Sequence, residues 1–129
     1  MTKRILVVED NELNRKLFCD VLQAGGFDVE PVADGNLAIQ QARAFIPNLI
    51  VMDIQLQDVS GLDLISILKQ DEDLADVPVL AVTAYAGKGD EQRIRDSGAE
   101  GYLSKPVSIG PFMAAVRNLV EEISAEAAE

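Results

Sequence analysis

The 129-residue sequence predicts a single domain with a doubly wound α/β fold, in which a five-stranded parallel sheet is covered by helices on both faces. Short runs of β-branched and other apolar residues, such as Arg4–Val8 and Asn48–Asp53, have the length and composition of strands buried on both sides. Amphipathic segments separate these runs, and five alternations of strand and helix are typical of this fold class. The hydrophobic content of 48% is sufficient for a core without disulfide or metal staples.

The first helix is predicted from apolar residues at helical spacing, which we assign to its inner face. These residues are Leu13, Leu17, Phe18, Val21 and Leu22, and the pair Gly25-Gly26 ends the helix. The remaining elements are predicted by the same reasoning. We expect strands at Phe27–Val32, Asn48–Asp53, Pro78–Val82 and Gly101–Ser104, and helices at Leu37–Phe45, Leu62–Leu68, Gly89–Asp96 and Phe112–Ile123.

Three predicted segments have distinctive positions. The second strand is short and polar and contains Pro31, which favours an edge of the sheet. The fourth helix has only Ile94 as a clear apolar anchor, and this sparse anchoring predicts a mobile element. Residues 124–129 are rich in Ala and Glu and are expected to fray, so we assign the domain to residues 1–123.

Composition excludes several kinds of chemistry. The chain has no histidine, so a partner must supply the usual general base or a phosphohistidine. The single cysteine, Cys19, is predicted to be a buried structural thiol. A net charge of −11 argues against binding to nucleic acid or to anionic membranes. Because no apolar run has membrane-spanning length and no signal-peptide pattern is present, we expect a cytoplasmic protein without membrane insertion.

Polar residues follow four of the five predicted strands. Glu9 and Asp10 come after the first strand, Asp53 ends the third, Thr83 ends the fourth and Lys105 follows the fifth. Working sites in such folds lie outside the carboxyl ends of the strands, so we expect these side chains to converge. Taken alone, each could be a solvated turn, a helix cap or a strand-end residue. Their coincidence at four strand ends favours a functional site.

Three converging carboxylates repel one another, by roughly 4 kcal/mol for each pair of unit charges 4 Å apart at an effective dielectric near 20. Lys105 compensates only one of these charges. An all-oxygen site of this kind suits Mg²⁺, with Mn²⁺ as a substitute. A metal beside a carboxylate, a lysine and a hydroxyl is what phosphoryl transfer onto an aspartate requires. Asp53 is the predicted acceptor because it is the one carboxylate of the three that ends a central strand.

The motifs around these residues resemble the receiver domain of two-component response regulators, and the match extends from Lys3 to Ile123. Narrower phrases resemble single-domain members that act in alphaproteobacterial cell-cycle and cell-division signalling. The resemblance implies a flavodoxin-like, CheY-like sheet with strand order 2-1-3-4-5 and five helices. The motifs are Val-Val-Glu-Asp-Asn at 7–11, Met-Asp-Ile-Gln-Leu at 52–56, Ser-Gly-Leu-Asp at 60–63, Val-Thr-Ala at 82–84 and Tyr-Leu-Ser-Lys-Pro at 102–106.

The resemblance also implies a role for each matched residue at the acidic site. Asp53 would be the phosphoacceptor and Lys105 its phosphate partner. Asp10 and Asp53 would bind Mg²⁺ together with the backbone carbonyl of Gln55. Glu9 would contact the ion mainly through water.

Further roles follow from the resemblance for residues on the fourth and fifth strands. Thr83 would be the switch hydroxyl that moves toward the phosphoryl group, and Tyr102 the aromatic that turns inward with it. The Lys105–Pro106 peptide bond would be cis. Gln57 stands where the family often has proline, so we expect a less rigid loop after the acceptor.

The function implied is a phosphorylation switch and not an enzyme. A histidine kinase or phosphotransfer protein would donate the phosphoryl group, and the surface of the fourth helix, fifth strand and fifth helix would then bind effector or kinase proteins. The chain would be a monomer or a phosphorylation-dependent dimer.

Other functions are less consistent with the residues. The enzyme alternative, a phosphotransferase or phosphatase of the haloacid dehalogenase type, needs a second Asp where this chain has Gln55. An FMN-binding module would need a phosphate loop rich in Gly or Ser/Thr after the first strand. No such loop is present, and Glu9 and Asp10 would repel the phosphate. A receiver that signals without phosphate is disfavoured because all key positions are filled.

Overall fold

The computed structural model describes residues 2–57, 59–84 and 89–128, the side chains of 122–128 excepted. Within these residues five strands and five α-helices alternate, as predicted. The strands are β1 (Arg4–Val8), β2 (Asp28–Val32), β3 (Leu49–Asp53), β4 (Val79–Thr83) and β5 (Gly101–Ser104). The helices are α1 (Glu12–Ala24), α2 (Ala38–Phe45), α3 (Gly61–Gln70), α4 (Asp90–Asp96) and α5 (Ile109–Ala128), with a 3₁₀ turn at Gly35–Leu37 before α2.

The strands form one parallel sheet in the order β2-β1-β3-β4-β5, which confirms the predicted fold class. The interior strands β3 and β4 are buried at every residue, as their near-continuous apolar sequences predict. Val8 pairs with Met52, and Asp53 pairs with Val82. This register brings the carboxyl ends of β1, β3 and β4 to the same edge of the sheet.

The core has two layers because alternate residues of each strand point to opposite faces of the sheet. Leu6 and Val8 pack in the layer beneath α2, α3 and α4, whereas Ile5 and Val7 pack in the layer beneath α1 and α5. In the second layer the ring of Phe18 stacks on that of Phe112 with centroids 5.0 Å apart, which joins α1 to α5.

The predicted inner face of α1 is partly wrong. Phe18 and Leu22 are buried, but Leu13 is 79% exposed and Leu17 is 45% exposed. Leu13 and Leu17 are four residues apart and form a separate stripe, which turns away from the sheet when Phe18 and Leu22 face it. Cys19, predicted to be buried, is half-buried against the same core layer, and burial raises the pKa of its thiol.

The predicted weak elements have different outcomes. The second strand lies at an edge of the sheet, as predicted. Within α4, which the structure describes in full, Ile94 is the one buried residue. The helix α5 extends to Ala128, and Glu129 lies outside the described residues. The expected boundary between a domain at 1–123 and a frayed end at 124–129 stays a prediction. Among the described helices, none has both the length and the apolar character needed to cross a membrane.

Candidate functional site

Three carboxylates meet at the edge of the sheet. Asp53 is the last residue of β3 and is 3% exposed, and Glu9, directly after β1, is 1% exposed. Asp10 follows Glu9 and is partly buried. One carboxylate oxygen from each of the three lies within 4.8 Å of the other two. The β1–β3 register therefore brings together the acids that the sequence placed at these strand ends.

Lys105 brings a positive charge to this cluster. Its Nζ lies 3.0 Å from Oε1 of Glu9 and 3.4 Å from Oδ2 of Asp53. The backbone N–H of Lys105 donates to the carbonyl oxygen of Thr83 (2.7 Å), which places the lysine just beyond the β4–β5 ladder. The following bond, Lys105–Pro106, is cis, as expected.

The site carries more negative charge than its lysine can neutralise. Burial, and then the closeness of Asp53, raise the pKa of Glu9 to about 7, against the opposing effect of Lys105. Burial lowers the pKa of Lys105, but its hydrogen bond to Glu9 and the charges of Asp53 and Glu9 outweigh burial and raise that pKa overall. Such mutual perturbation is typical of functional sites.

A divalent cation fits this donor set. Oε2 of Glu9 is buried and accepts no hydrogen bond from any described residue. A buried carboxylate oxygen without a donor is costly, and a cation or its bound water would satisfy it. The available ligand atoms are all oxygens, which suits a hard ion.

The loop after β3 is fixed to the acids by backbone hydrogen bonds. The N–H of Gln55 donates to Oδ1 of Asp53 (2.9 Å), and the N–H of Gln57 donates to Oδ2 of Asp10 (2.8 Å). The loop ends at Gly61, where a Cβ would lie 2.4 Å from the carbonyl oxygen of Asp53. Only glycine allows α3 to begin this close to the proposed acceptor.

The end of β4 forms the other side of the site. Thr83 is fully buried, and the next residue, Ala84, donates its backbone N–H to Oε1 of Gln55 (2.8 Å). On β5, Tyr102 is half-buried against the core layer beneath α2, α3 and α4, with its hydroxyl 3.3 Å from Oγ of Ser104. Tyr102 is therefore placed at a half-buried position on an edge strand.

Cavities lined by described residues lie on both sides of the cluster. One has a volume of about 520 Å³ and lies between the β3–α3 loop and α4, lined by residues that include Gln55, Thr83 and Arg93. The other is a groove of about 420 Å³ between α1 and the segment after β5, lined by residues that include Leu17 and Lys105. The two sides of the site thus both open to space that a ligand, a partner or a moving side chain can occupy.

Sequence reasoning missed four contacts of the site. They are the side chain of Gln55 on Ala84, the backbone N–H of Gln57 on Asp10, and the guanidinium of Arg15, which donates to the carbonyl oxygens of Glu9 (3.0 Å) and Asp10 (3.3 Å). All four use a backbone donor or acceptor, which residue patterns do not reveal. For Arg15, its place one turn into a helix that begins just after the acids was the one available signal.

Comparison with known proteins is consistent with this geometry. Residues 5–117 match the family model of the response regulator receiver domain. The chain is 50% identical over 118 residues to the polar-differentiation response regulator DivK of Brucella ovis, an alignment that covers 92% of this chain and 96% of that protein. The narrower resemblance noted in the sequence is therefore confirmed as a similarity to DivK.

Solved structures give the same result. A CheY-like response regulator receiver domain protein from Methanospirillum hungatei JF-1 superposes with a TM-score of 0.90 at 25% identity, covering 98% of this chain and 99% of that one. The receiver domain of a sensor histidine kinase from Pseudomonas aeruginosa PAO1, solved with a magnesium ion in its active-site cleft, gives 0.86 at 29% identity over 94% and 99%. None of this supports a haloacid dehalogenase. The chain belongs to the response regulator receiver family and is a DivK-like regulator of phosphorylation-based signalling.

Proposed function

We propose that Asp53 accepts a phosphoryl group from the phosphohistidine of a partner kinase or phosphotransfer protein. The observation that carries this proposal is the buried cluster of Glu9, Asp10 and Asp53 with Lys105 ion-paired to it. A carboxylate oxygen of Asp53 attacks phosphorus, the bond from phosphorus to the donor's imidazole nitrogen breaks, and that nitrogen takes a proton. The product is an acyl phosphate on Asp53.

A divalent cation completes the proposed site. Asp10, Asp53 and the backbone carbonyl of Gln55 would hold Mg²⁺, or Mn²⁺ in its place, and Glu9 would contact the ion mainly through water. When bound, the ion neutralises charge on the phosphoryl oxygens. Lys105 contributes a second positive charge at the same place, since its Nζ already lies 3.4 Å from Asp53.

The proposed response begins at Thr83 and Tyr102. Thr83 is buried at the end of β4, the strand that pairs with the one carrying Asp53, and its hydroxyl would respond to new charge there. Tyr102 on β5 lies half-buried on the neighbouring strand and would turn further inward. The surface of α4, β5 and α5 would change with them and bind effector proteins or kinases.

The name of the DivK relatives refers to polar differentiation, which supports a role in cell-cycle and cell-division control. The chain would act as a phosphoacceptor in the cytoplasm, catalysing at most its own phosphorylation and dephosphorylation. It would be a monomer or a phosphorylation-dependent dimer, without direct contact to nucleic acid or membrane. Its net charge of −11 agrees with the last two points.

The phosphodonor would dock on α1. Leu13 and Leu17 are exposed there, and the adjacent groove is also lined by Phe18, Pro106 and Lys105. Because Lys105 belongs both to this groove and to the acidic cluster, a partner seated on α1 stands directly beside Asp53. Exposed apolar side chains next to a reacting carboxylate are suited to a protein donor.

The deciding experiment incubates the protein with a phosphorylated histidine kinase, or with acetyl phosphate, in the presence and absence of Mg²⁺. We expect a metal-dependent, acid-stable and base-labile label on Asp53 that chelation abolishes. Asp63→Asn, an exposed acid on α3, is the matched control and should label as wild type does. Equal labelling of Asp53→Asn and wild type would overturn the proposal.

A further inference from the structure

The side chain of Gln55 joins the two halves of the site. Its backbone N–H donates to Oδ1 of Asp53, and its side-chain Oε1 accepts the backbone N–H of Ala84 at 2.8 Å. Ala84 directly follows the buried Thr83. One residue therefore contacts the proposed acceptor with its backbone and the end of β4 with its side chain.

The N–H of Ala84 is well placed to meet new negative charge. Ala84 lines the same groove as Lys105, whose Nζ is ion-paired with Asp53. A phosphoryl group on Asp53 adds anionic oxygens to this edge of the sheet. A backbone N–H bound to such an oxygen forms a charge-assisted hydrogen bond, about twice as strong as one to a neutral amide. The exchange of a neutral acceptor for an anionic one is therefore favourable.

We propose that the Gln55 amide is a resting-state latch, which occupies the N–H of Ala84 until the phosphoryl group on Asp53 displaces it. This inference rests on the proposed function, which it extends to the side chain of a residue so far assigned only a backbone role. Gln55 acts here as a positioning residue, because it holds the β4 end and does not touch the phosphoryl donor.

The displaced amide has space to enter. Gln55 lines the cavity of about 520 Å³ between the β3–α3 loop and α4, together with Thr83. Its release would free the β4 end to move while the backbone of Gln55 stays beside Asp53. Since the latch stabilises only the resting state, its removal shifts the equilibrium toward the switched state before any phosphoryl group arrives.

The first measurement is hydrogen exchange at the Ala84 amide in the ¹⁵N-labelled, unphosphorylated protein. Gln55→Met keeps the length of the side chain but removes its amide oxygen, so exchange at Ala84 should accelerate several-fold. Gln55→Glu restores an acceptor of the same length and should keep exchange slow. Gln57→Met is the matched control, because Gln57 is exposed and bonds Asp10 through its backbone.

The second measurement is the affinity for beryllium fluoride, a phosphoryl analogue, in the presence of Mg²⁺. A net hydrogen bond of about 1 kcal/mol corresponds to roughly a fivefold change in an equilibrium constant, so Gln55→Met should bind the analogue about fivefold more tightly than wild type. Gln57→Met should match wild type. In wild type the Ala84 amide signal should shift on binding, as its acceptor changes.

The outcomes separate the latch from the proposed function. Ala84 exchange that is equally fast in wild type and Gln55→Met overturns the latch, as does an analogue affinity that Gln55→Met leaves unchanged or weakens. If wild type takes neither the analogue nor a phosphoryl group, the proposed function fails and the displacement step fails with it. In that case slow exchange at Ala84 would establish only a structural hydrogen bond.

Discussion

The functional edge of the sheet has two unlike halves. On the β1–β3 side the carboxylates of Asp10 and Asp53 accept backbone hydrogen bonds, Lys105 pairs with the cluster, and α3 packs beside them with four buried residues. On the β4 side Thr83 lines a cavity together with residues of α4. The helix α4 has one buried residue along its described length. The proposed chemistry therefore lies where packing is dense, and the proposed response lies where few packing contacts would be lost.

The largest effect is expected from a substitution at Asp53, in the densely packed half. Asp53→Asn removes the nucleophile, so phosphorylation should fall to background. It also removes one of three mutually repelling carboxylates, so the free energy of unfolding without Mg²⁺ should rise by about 1 kcal/mol. Labelling and urea unfolding measure the two effects. A variant that loses both labelling and stability would show that this half is not electrostatically strained.

The next largest effect is expected when the same substitution, Ile→Ala, truncates a buried side chain in each half, which compares the packing of the two halves. Ile65 in α3 and Ile94 in α4 are 0% and 2% exposed. Ile65→Ala should lower the free energy of unfolding by about 4 kcal/mol, and Ile94→Ala by about 2 kcal/mol, values from the upper and lower parts of the range of about 2–5 kcal/mol for buried isoleucines. Amide exchange in α4 should rise in Ile94→Ala before the rest of the sheet exchanges. Equal costs in urea unfolding would contradict the contrast between the halves.

A smaller effect separates chemistry from response at Thr83. Thr83→Ala should still be labelled on Asp53, because the acids and Lys105 are unchanged. The increase in partner affinity on phosphorylation should drop by about tenfold, the equivalent of one lost charge-assisted hydrogen bond. Binding to the cognate effector, with and without phosphate, measures this. Retained phosphate-dependent binding would count against a switch role for Thr83.

The smallest effect concerns the donor side of the densely packed half. Leu13→Ala should slow transfer from a phosphorylated kinase by about fivefold. The substitution removes apolar area from the contact with the kinase, and burying that area contributes about 1 kcal/mol to binding. Labelling by acetyl phosphate is the internal reference, because that donor needs no docking surface. Ile67→Ala on α3, where the side chain is 49% exposed, is the matched control. Equal transfer rates for Leu13→Ala and Ile67→Ala would remove α1 from the docking surface.

The sequence predicted the fold because its strands are short apolar runs separated by amphipathic helices. It also predicted where the acids lie, because parallel strands end at one edge. It did not separate the two apolar stripes of α1, since Leu13 and Leu17 satisfy helical spacing as well as Phe18 and Leu22 do. Periodicity identifies a helix, but only the position of the neighbouring sheet decides which stripe is covered.

The loop after β3 shows a second limit of what residue patterns can predict. The absence of proline at Gln57 predicts a less rigid loop, and that expectation stays a prediction. The structure adds a hydrogen bond from the N–H of Gln57 to Asp10, which a proline could not donate. Contacts of this kind join residues 47 positions apart through the backbone, so residue type carries little information about them.

Gly61 gives the loop after the acceptor a fixed end. Its backbone approaches the carbonyl of Asp53 so closely that a methyl group there would collide with it. Both ends of the segment from 54 to 60 are thereby held, one by β3 and the other by the first residue of α3. Side chains inside the segment, such as those of Gln55 and Gln57, can be exchanged without moving either end. For a protein engineer, the side chains at positions 55 and 57 can therefore be varied to tune the site, whereas Gly61 has to be kept.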